Sequence, residues 1–132
     1  MTRAFEWSAE QLAAAYHGGE VSPVDVVRSV FDRIDAWEPQ LHALYLNDRD
    51  AALAAARHSE KRWREGRPLS SLDGVPITIK ENIHTRGDPT PVGIAIATLD
   101  PQPDDAPPTA RAREAGCVIV GKTTMPDYGM LS

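Results

Sequence analysis

The chain has 132 residues, about one domain, with 42% hydrophobic and 25% charged residues, an ordinary balance for a soluble globular protein able to bury a modest core. Its formal net charge of −5 argues against nucleic acid as a partner, because nonspecific binding draws on Lys and Arg to neutralise phosphates. No apolar run approaches the roughly 20 residues that span a bilayer, the N-terminus has no leader pattern, and a single cysteine, Cys117, suits a reducing, cytoplasmic setting.

Three helical stretches come first. Ser8 caps a short helix from Ala9 to about Tyr16, stopped by Gly18-Gly19. Ser22-Pro23 is a start signal, a capping hydroxyl followed by proline at the first helical position. Val26, Val27, Val30, Phe31 and Ile34 then mark one apolar face, and Pro39 is expected to end the helix. Leu41 to Leu46 reads as extended. Asp48 caps a third helix, alanine-rich from Ala51 to Ala56 and increasingly charged towards Gly66.

The second half changes character. Val75-Pro76-Ile77-Thr78-Ile79 is a β-branched run after Gly74 and reads as a strand. Between Thr85 and Pro108 the prolines Pro89, Pro91, Pro101, Pro103, Pro107 and Pro108 forbid a long regular element, so this stretch reads mostly as loop. Thr109 to Ala115 is a short helix with Gly116 as its stop, feeding a strand at Cys117-Val118-Ile119-Val120. A helix passing into a strand through one glycine points to an α/β layer arrangement. Two strands alone make too small a sheet, so the pattern reads either as a small odd domain or as the front of a longer protein. Unpaired strand edges and exposed apolar faces would leave it poorly stable in isolation.

Lys80 is the first candidate for chemistry. Strand alternation sets Ile77 and Ile79 on one face and Thr78 and Lys80 on the other. On periodicity alone Lys80 is a solvent-facing lysine at a strand end. Enclosed in a site, its amine would lose water and favour the neutral form, which can take a proton from a serine hydroxyl. Ser70-Ser71 precede a Leu-Asp-Gly turn without flanking glycines and read as solvated loop residues. His17, His42, His58 and His84 have no metal-binding spacing, and no metal is expected. Cys117, inside an apolar run, reads as a packed thiol. Lys61, Arg62, Arg64 and Arg67 around Trp63 could touch RNA, but a solvated helix end complementing its own dipole is the simpler reading. Arg86-Gly87-Asp88 reads as a turn.

The segment Leu72-Asp73-Gly74-Val75-Pro76-Ile77-Thr78-Ile79-Lys80-Glu81-Asn82 resembles the L-x-G-V-P-x-x-x-K-[DE]-N block of amidase signature enzymes. Asp105-Ala106 with Ala110-Arg111-Ala112-Arg113-Glu114-Ala115-Gly116 and Gly121-Lys122-Thr123 resembles a second block, continued by Thr124-Met125-Pro126-Asp127-Tyr128. Both blocks fall in the family's order and spacing, and the resemblance covers nearly the whole chain. It implies an incomplete α/β fold: the N-terminal portion of the amidase signature fold, helices packed on a mixed, largely parallel sheet. Residues 1–68 would be a helical front and 69–132 the start of the catalytic core of a single domain.

By the same resemblance, Lys80 is the base of a Ser–cisSer–Lys triad, with the glycine- and serine-rich segment that supplies both serines lying beyond the present C-terminus. The implied substrate is a small-molecule amide, cleaved at a carboxamide or related C–N bond. The implied protein works without a cofactor, membrane or nucleic acid, and a homodimer is left open. Tyr128 to Leu131 would approach the substrate, with Gly129 chosen for a backbone contact. Three departures stand out: Thr124 replaces the usual asparagine, Ala112 a usual leucine, and Pro91-Val92-Gly93-Ile94 lies where the family commonly has T-A-G-S. The competing reading is a noncatalytic truncated product or partner-binding scaffold, and the 132 residues alone are expected to be inactive, since a base without a nucleophile supplies little.

Overall fold

The computed structural model describes residues 3–130. After a single 3-10 turn at Ala4–Glu6, the elements run α1 (Ala9–Gly18), α2 (Pro23–Leu41), β1 (Leu44–Leu46), α3 (Arg49–Arg64), β2 (Pro76–Lys80), α4 (Pro107–Glu114) and β3 (Val118–Thr123). The expected starts hold for local reasons. Ser8 and Gln11 form a reciprocal capping box, as do Ser22 and Asp25, and the Asp48 carboxylate accepts the Ala51 N–H at 2.9 Å, so α1, α2 and α3 each have a capped first turn.

Pro39 does not end α2. The helix passes through it to Leu41, and the Leu41–Leu46 stretch is extended only from Leu44. Proline removes a single N–H. The true stop is His42, which turns left-handed while its N–H still bonds to the Glu38 carbonyl. The Glu38 carboxylate then takes the Leu44 N–H at 2.7 Å. At the other proline cluster, α4 begins at Pro107 rather than Thr109, because prolines fit a first turn whose N–H groups have no helical partner.

Three strands form a mixed sheet in the order β1-β3-β2, with β2 and β3 parallel and β1 and β3 antiparallel. β1 has only three residues, too few to declare a sheet partner by pattern alone. β3 reaches Thr123, three residues past the apolar run, so Gly121-Lys122-Thr123 belongs to the central strand. One core joins α2 and α3 to β3 through Val24, Val27, Phe31, Ala52, Ala56, Val118 and Val120. A second packs Ala4, Leu12, Tyr16, Val26 and Val75 under α1. Burial of these apolar side chains is the main drive to fold, and it leaves β2 at the edge of the sheet.

Candidate functional site

The site is built on the parallel pair. Pairing Pro76 with Val118 and Lys80 with Thr123 makes both strands finish at the same end of the sheet. In open α/β sheets, reacting groups gather at the carboxyl ends of strands, where connecting loops can approach one another. Lys80 is the last residue of β2, and its side chain is exposed, while Ile79 beside it is buried. The alternation is therefore as expected, and the amine faces solvent in this chain.

The loops beyond the two strand ends meet. The Glu81 carboxylate is buried and accepts the Gly93 N–H at 2.8 Å. The Val92 carbonyl accepts the Tyr128 N–H at 2.9 Å. Gly93 lies so close to the second loop that a Cβ there would stand 2.7 Å from the Pro126 carbonyl oxygen. Val92 and Tyr128, joined by that hydrogen bond, have φ of 54° and 52°, a costly region for a β-branched residue. Gly129, with φ 73°, ends the 3-10 turn Asp127–Gly129 on this loop and is exposed. Lys80 and Gly129 thus sit on loops and strand ends at one end of the sheet. Leu131 of the expected substrate-facing segment lies outside the described residues.

Lys122 has no role in the sequence-based site, yet it is the buried cation of this end. It is 1% exposed, and its Nζ donates to the Ile83 carbonyl at 2.7 Å. Burial pushes its pKa down, partly offset by the nearby Asp88 and Glu81 carboxylates. Burial pushes Asp88 up, with Lys122 and Arg113 opposing. Tyr45, whose hydroxyl donates to the Pro89 carbonyl, is pushed up to about 12 by burial and by Asp88 and Glu81. No local pattern marked it: β3 breaks register at Val120, between the Ile77–Ile119 and Thr78–Gly121 pairs, so simple alternation along the apolar run does not carry through to Lys122.

Other candidates resolve into structure. Ser71 is exposed, as expected of a solvated loop residue, whereas Ser70 is half-buried: its hydroxyl donates to the Ala115 carbonyl at 2.6 Å and accepts the Leu72 N–H. It lies before the start of β2, at the opposite end from Lys80. The basic patch is spent on neighbours. Arg64 pairs with Glu60, Arg67 with Glu65, and Arg62 grips Asp73 through two hydrogen bonds of 2.6 and 2.7 Å. Arg62 is expected on a solvated helix end, yet the Asp73 carboxylate it meets is fully buried. Arg86-Gly87-Asp88 is a turn, closed by the Asp88 N–H on the Thr85 carbonyl. Burial raises the Cys117 thiol, as a packed cysteine requires. Among the described residues, no group of three or more His, Cys, Asp or Glu could hold a metal ion, and no helix is long and apolar enough to cross a membrane.

The chain is similar to known proteins in sequence and in fold. The sequence model of the Amidase family matches residues 25–132. The chain is 38% identical over 130 residues to the A-type subunit of the glutamyl-tRNA(Gln) amidotransferase of Salinispora tropica, covering 98% of this chain and 26% of that protein. It is 36% identical over 124 residues to the indoleacetamide hydrolase of Bradyrhizobium diazoefficiens, covering 94% of this chain and 24% of the relative. The fold superposes on the native peptide amidase of Stenotrophomonas maltophilia with a TM-score of 0.82 and 31% identity, covering 91% of this chain and 25% of that one. The chain thus spans about a quarter of the length of the curated relatives it matches.

Proposed function

The chain belongs to the amidase family, and from that premise we propose that it is the N-terminal part of a hydrolase that cleaves a carboxamide C–N bond, with Lys80 as the base. One observation carries the reading. The family match extends across the end of β2, and Lys80 stands at the carboxyl end of a parallel pair where two loops converge. The nucleophile and the bridging serine come from residues outside these 132. The proton leaves the nucleophilic hydroxyl through the bridging serine to the Lys80 amine. The hydroxyl oxygen then bonds to the carbonyl carbon, the C–N bond breaks, and the leaving nitrogen takes a proton. Water hydrolyses the ester that remains, restoring the hydroxyl. Gly129 lies on the loop facing this end and offers a backbone group to the substrate. The substrate is a small amide. Two relatives, the indoleacetamide hydrolase and the glutamyl-tRNA(Gln) amidotransferase, bracket the choice.

The experiment is to read the gene beyond the Ser132 codon, express the whole product, and measure ammonia release from glutamine and indole-3-acetamide. We expect a downstream glycine- and serine-rich segment, hydrolysis of at least one carboxamide, and a loss of roughly 100-fold or more in Lys80→Ala. A stop codon at that point, or a fully active Lys80→Ala, would contradict the assignment. The 132 residues alone are expected to release no ammonia. A short chain that turned over would place the nucleophile within it.

A further inference from the structure

Lys80 sits at the end of an edge strand, and the structure shows what holds its backbone. Its own carbonyl accepts the Ile83 N–H at 3.0 Å, closing a turn, and the Glu81 N–H donates to the Thr123 carbonyl at 3.0 Å. The far side of that turn, the Ile83 carbonyl, is gripped by the buried Lys122 ammonium at 2.7 Å. The peptide units that follow Lys80 are therefore fastened to β3, directly at Glu81 and through a side chain at Ile83. The ordinary reading is that Lys122 merely fills the space under the loop. Burying an ammonium is costly, and an apolar side chain of similar volume often serves a core as well or better. What the ammonium adds is a charge-assisted hydrogen bond to one chosen carbonyl, with the carboxylates of Asp88 and Glu81 near enough to favour its charge.

We propose that Lys122 is a positioning residue for Lys80: by holding the Ile83 carbonyl it fixes the turn that Lys80 opens, and so sets where the Lys80 amine meets its proton donor. This rests on the reading of Lys80 as the base. Displacement of a reacting group by about 1 Å can cost 10²-fold in rate, so a loosened turn has a kinetic signature larger than its structural one. Thr109 provides the comparison. Its hydroxyl holds the same loop one residue further on, donating to the His84 carbonyl at 2.9 Å, rather than to Lys80 or Ile83.

The test uses the full-length gene product and a fluorophosphonate, which reports activation of the serine nucleophile whatever the natural substrate. Labelling rates are measured from pH 5 to 10 for the parent, Lys80→Ala, Lys122→Met, Lys122→Arg and Thr109→Val, with a melting curve for each. Lys122→Met should label at least 10-fold more slowly and move the rate profile along the pH axis. Lys122→Arg, keeping charge and donors, should restore the profile. Thr109→Val should melt earlier yet keep the parent's rate and profile. An unmoved profile at the parent's rate in Lys122→Met, or an equal shift in Thr109→Val, would overturn the proposal. Parent-like labelling of Lys80→Ala would overturn this proposal and the base assignment together. An inert Lys80→Ala beside a normal Lys122→Met would remove the positioning role alone. Should Lys122→Met not fold, Lys122→Gln, whose amide stops short of Ile83, is read in the same way.

Discussion

The two ends of β2 are built on opposite plans. At its entry, Asp73 is fully buried, held by Arg62 and by the Leu69 N–H, while its carbonyl accepts the Trp63 indole N–H at 2.9 Å. The next residue, Gly74, gives its N–H to the Gly116 carbonyl, and its own carbonyl accepts the Tyr16 hydroxyl. At its exit, Lys80 reaches solvent, and the constraints act on the backbone after it rather than on its side chain. The lesson is a division of labour along one strand of five residues. One end spends its polar groups on buried contacts, and the other leaves its charged side chain exposed.

That contrast can be broken at either end. The largest effect is expected at the exit, where Lys80→Ala should cost the full-length enzyme roughly 100-fold or more in hydrolysis. The same change should alter unfolding free energy by no more than about 0.5 kcal/mol, as for an exposed side chain without a structural role. At the entry the order reverses. Asp73→Ala leaves the Arg62 guanidinium and the Leu69 N–H without their acceptor and should lower unfolding free energy by about 3 kcal/mol in urea titrations. Gly116→Ala should cost about 2 kcal/mol or more, because φ there is +87° and the new Cβ would stand 2.5 Å from the Asp73 carboxylate. Tyr16→Phe removes one buried hydrogen bond to Gly74 and should cost about 1 kcal/mol.

Acid sharpens the same comparison. Burial pushes the Asp73 carboxyl up, but the Arg62 and Leu69 hydrogen bonds outweigh it, and its pKa ends below the ordinary 3.8. A depressed carboxylate contributes stability that is fully present above its unfolded value and lost as pH falls through the folded one. Unfolding free energy should therefore drop below about pH 4, and Asp73→Asn should flatten that limb. An acid limb unchanged in Asp73→Asn would mean that other carboxylates carry it.

Much of this was legible in the chain itself, where the signal was local. Ser8, Ser22 and Asp48 announce helix starts because a capping side chain acts within three residues of its own position. The apolar run at Val75–Ile79 announces a strand by its β-branched character, and alternation puts Lys80 opposite Ile79. What escaped depends on partners far away in sequence. The Arg62–Asp73 pair spans 11 residues and the Lys122–Ile83 bond 39, and nothing local tells a buried lysine from a solvated one. Pro39 misled for a different reason. Proline weakens a helix by one hydrogen bond, but the helix ends only where the next residues supply a left-handed turn and an alternative acceptor, as His42 and Glu38 do.

The claim beneath the functional reading is that the exposed amine of Lys80 becomes covered when the rest of an amidase chain packs against this end of the sheet. Acetic anhydride labelling at short exposure, read at Lys80 by peptide mass spectrometry, addresses it directly in the 132-residue chain and in the full-length protein side by side. The account predicts ready acetylation in the short chain and at least tenfold slower acetylation in the long one. Equal labelling in both would leave Lys80 a surface lysine and remove it from the chemistry.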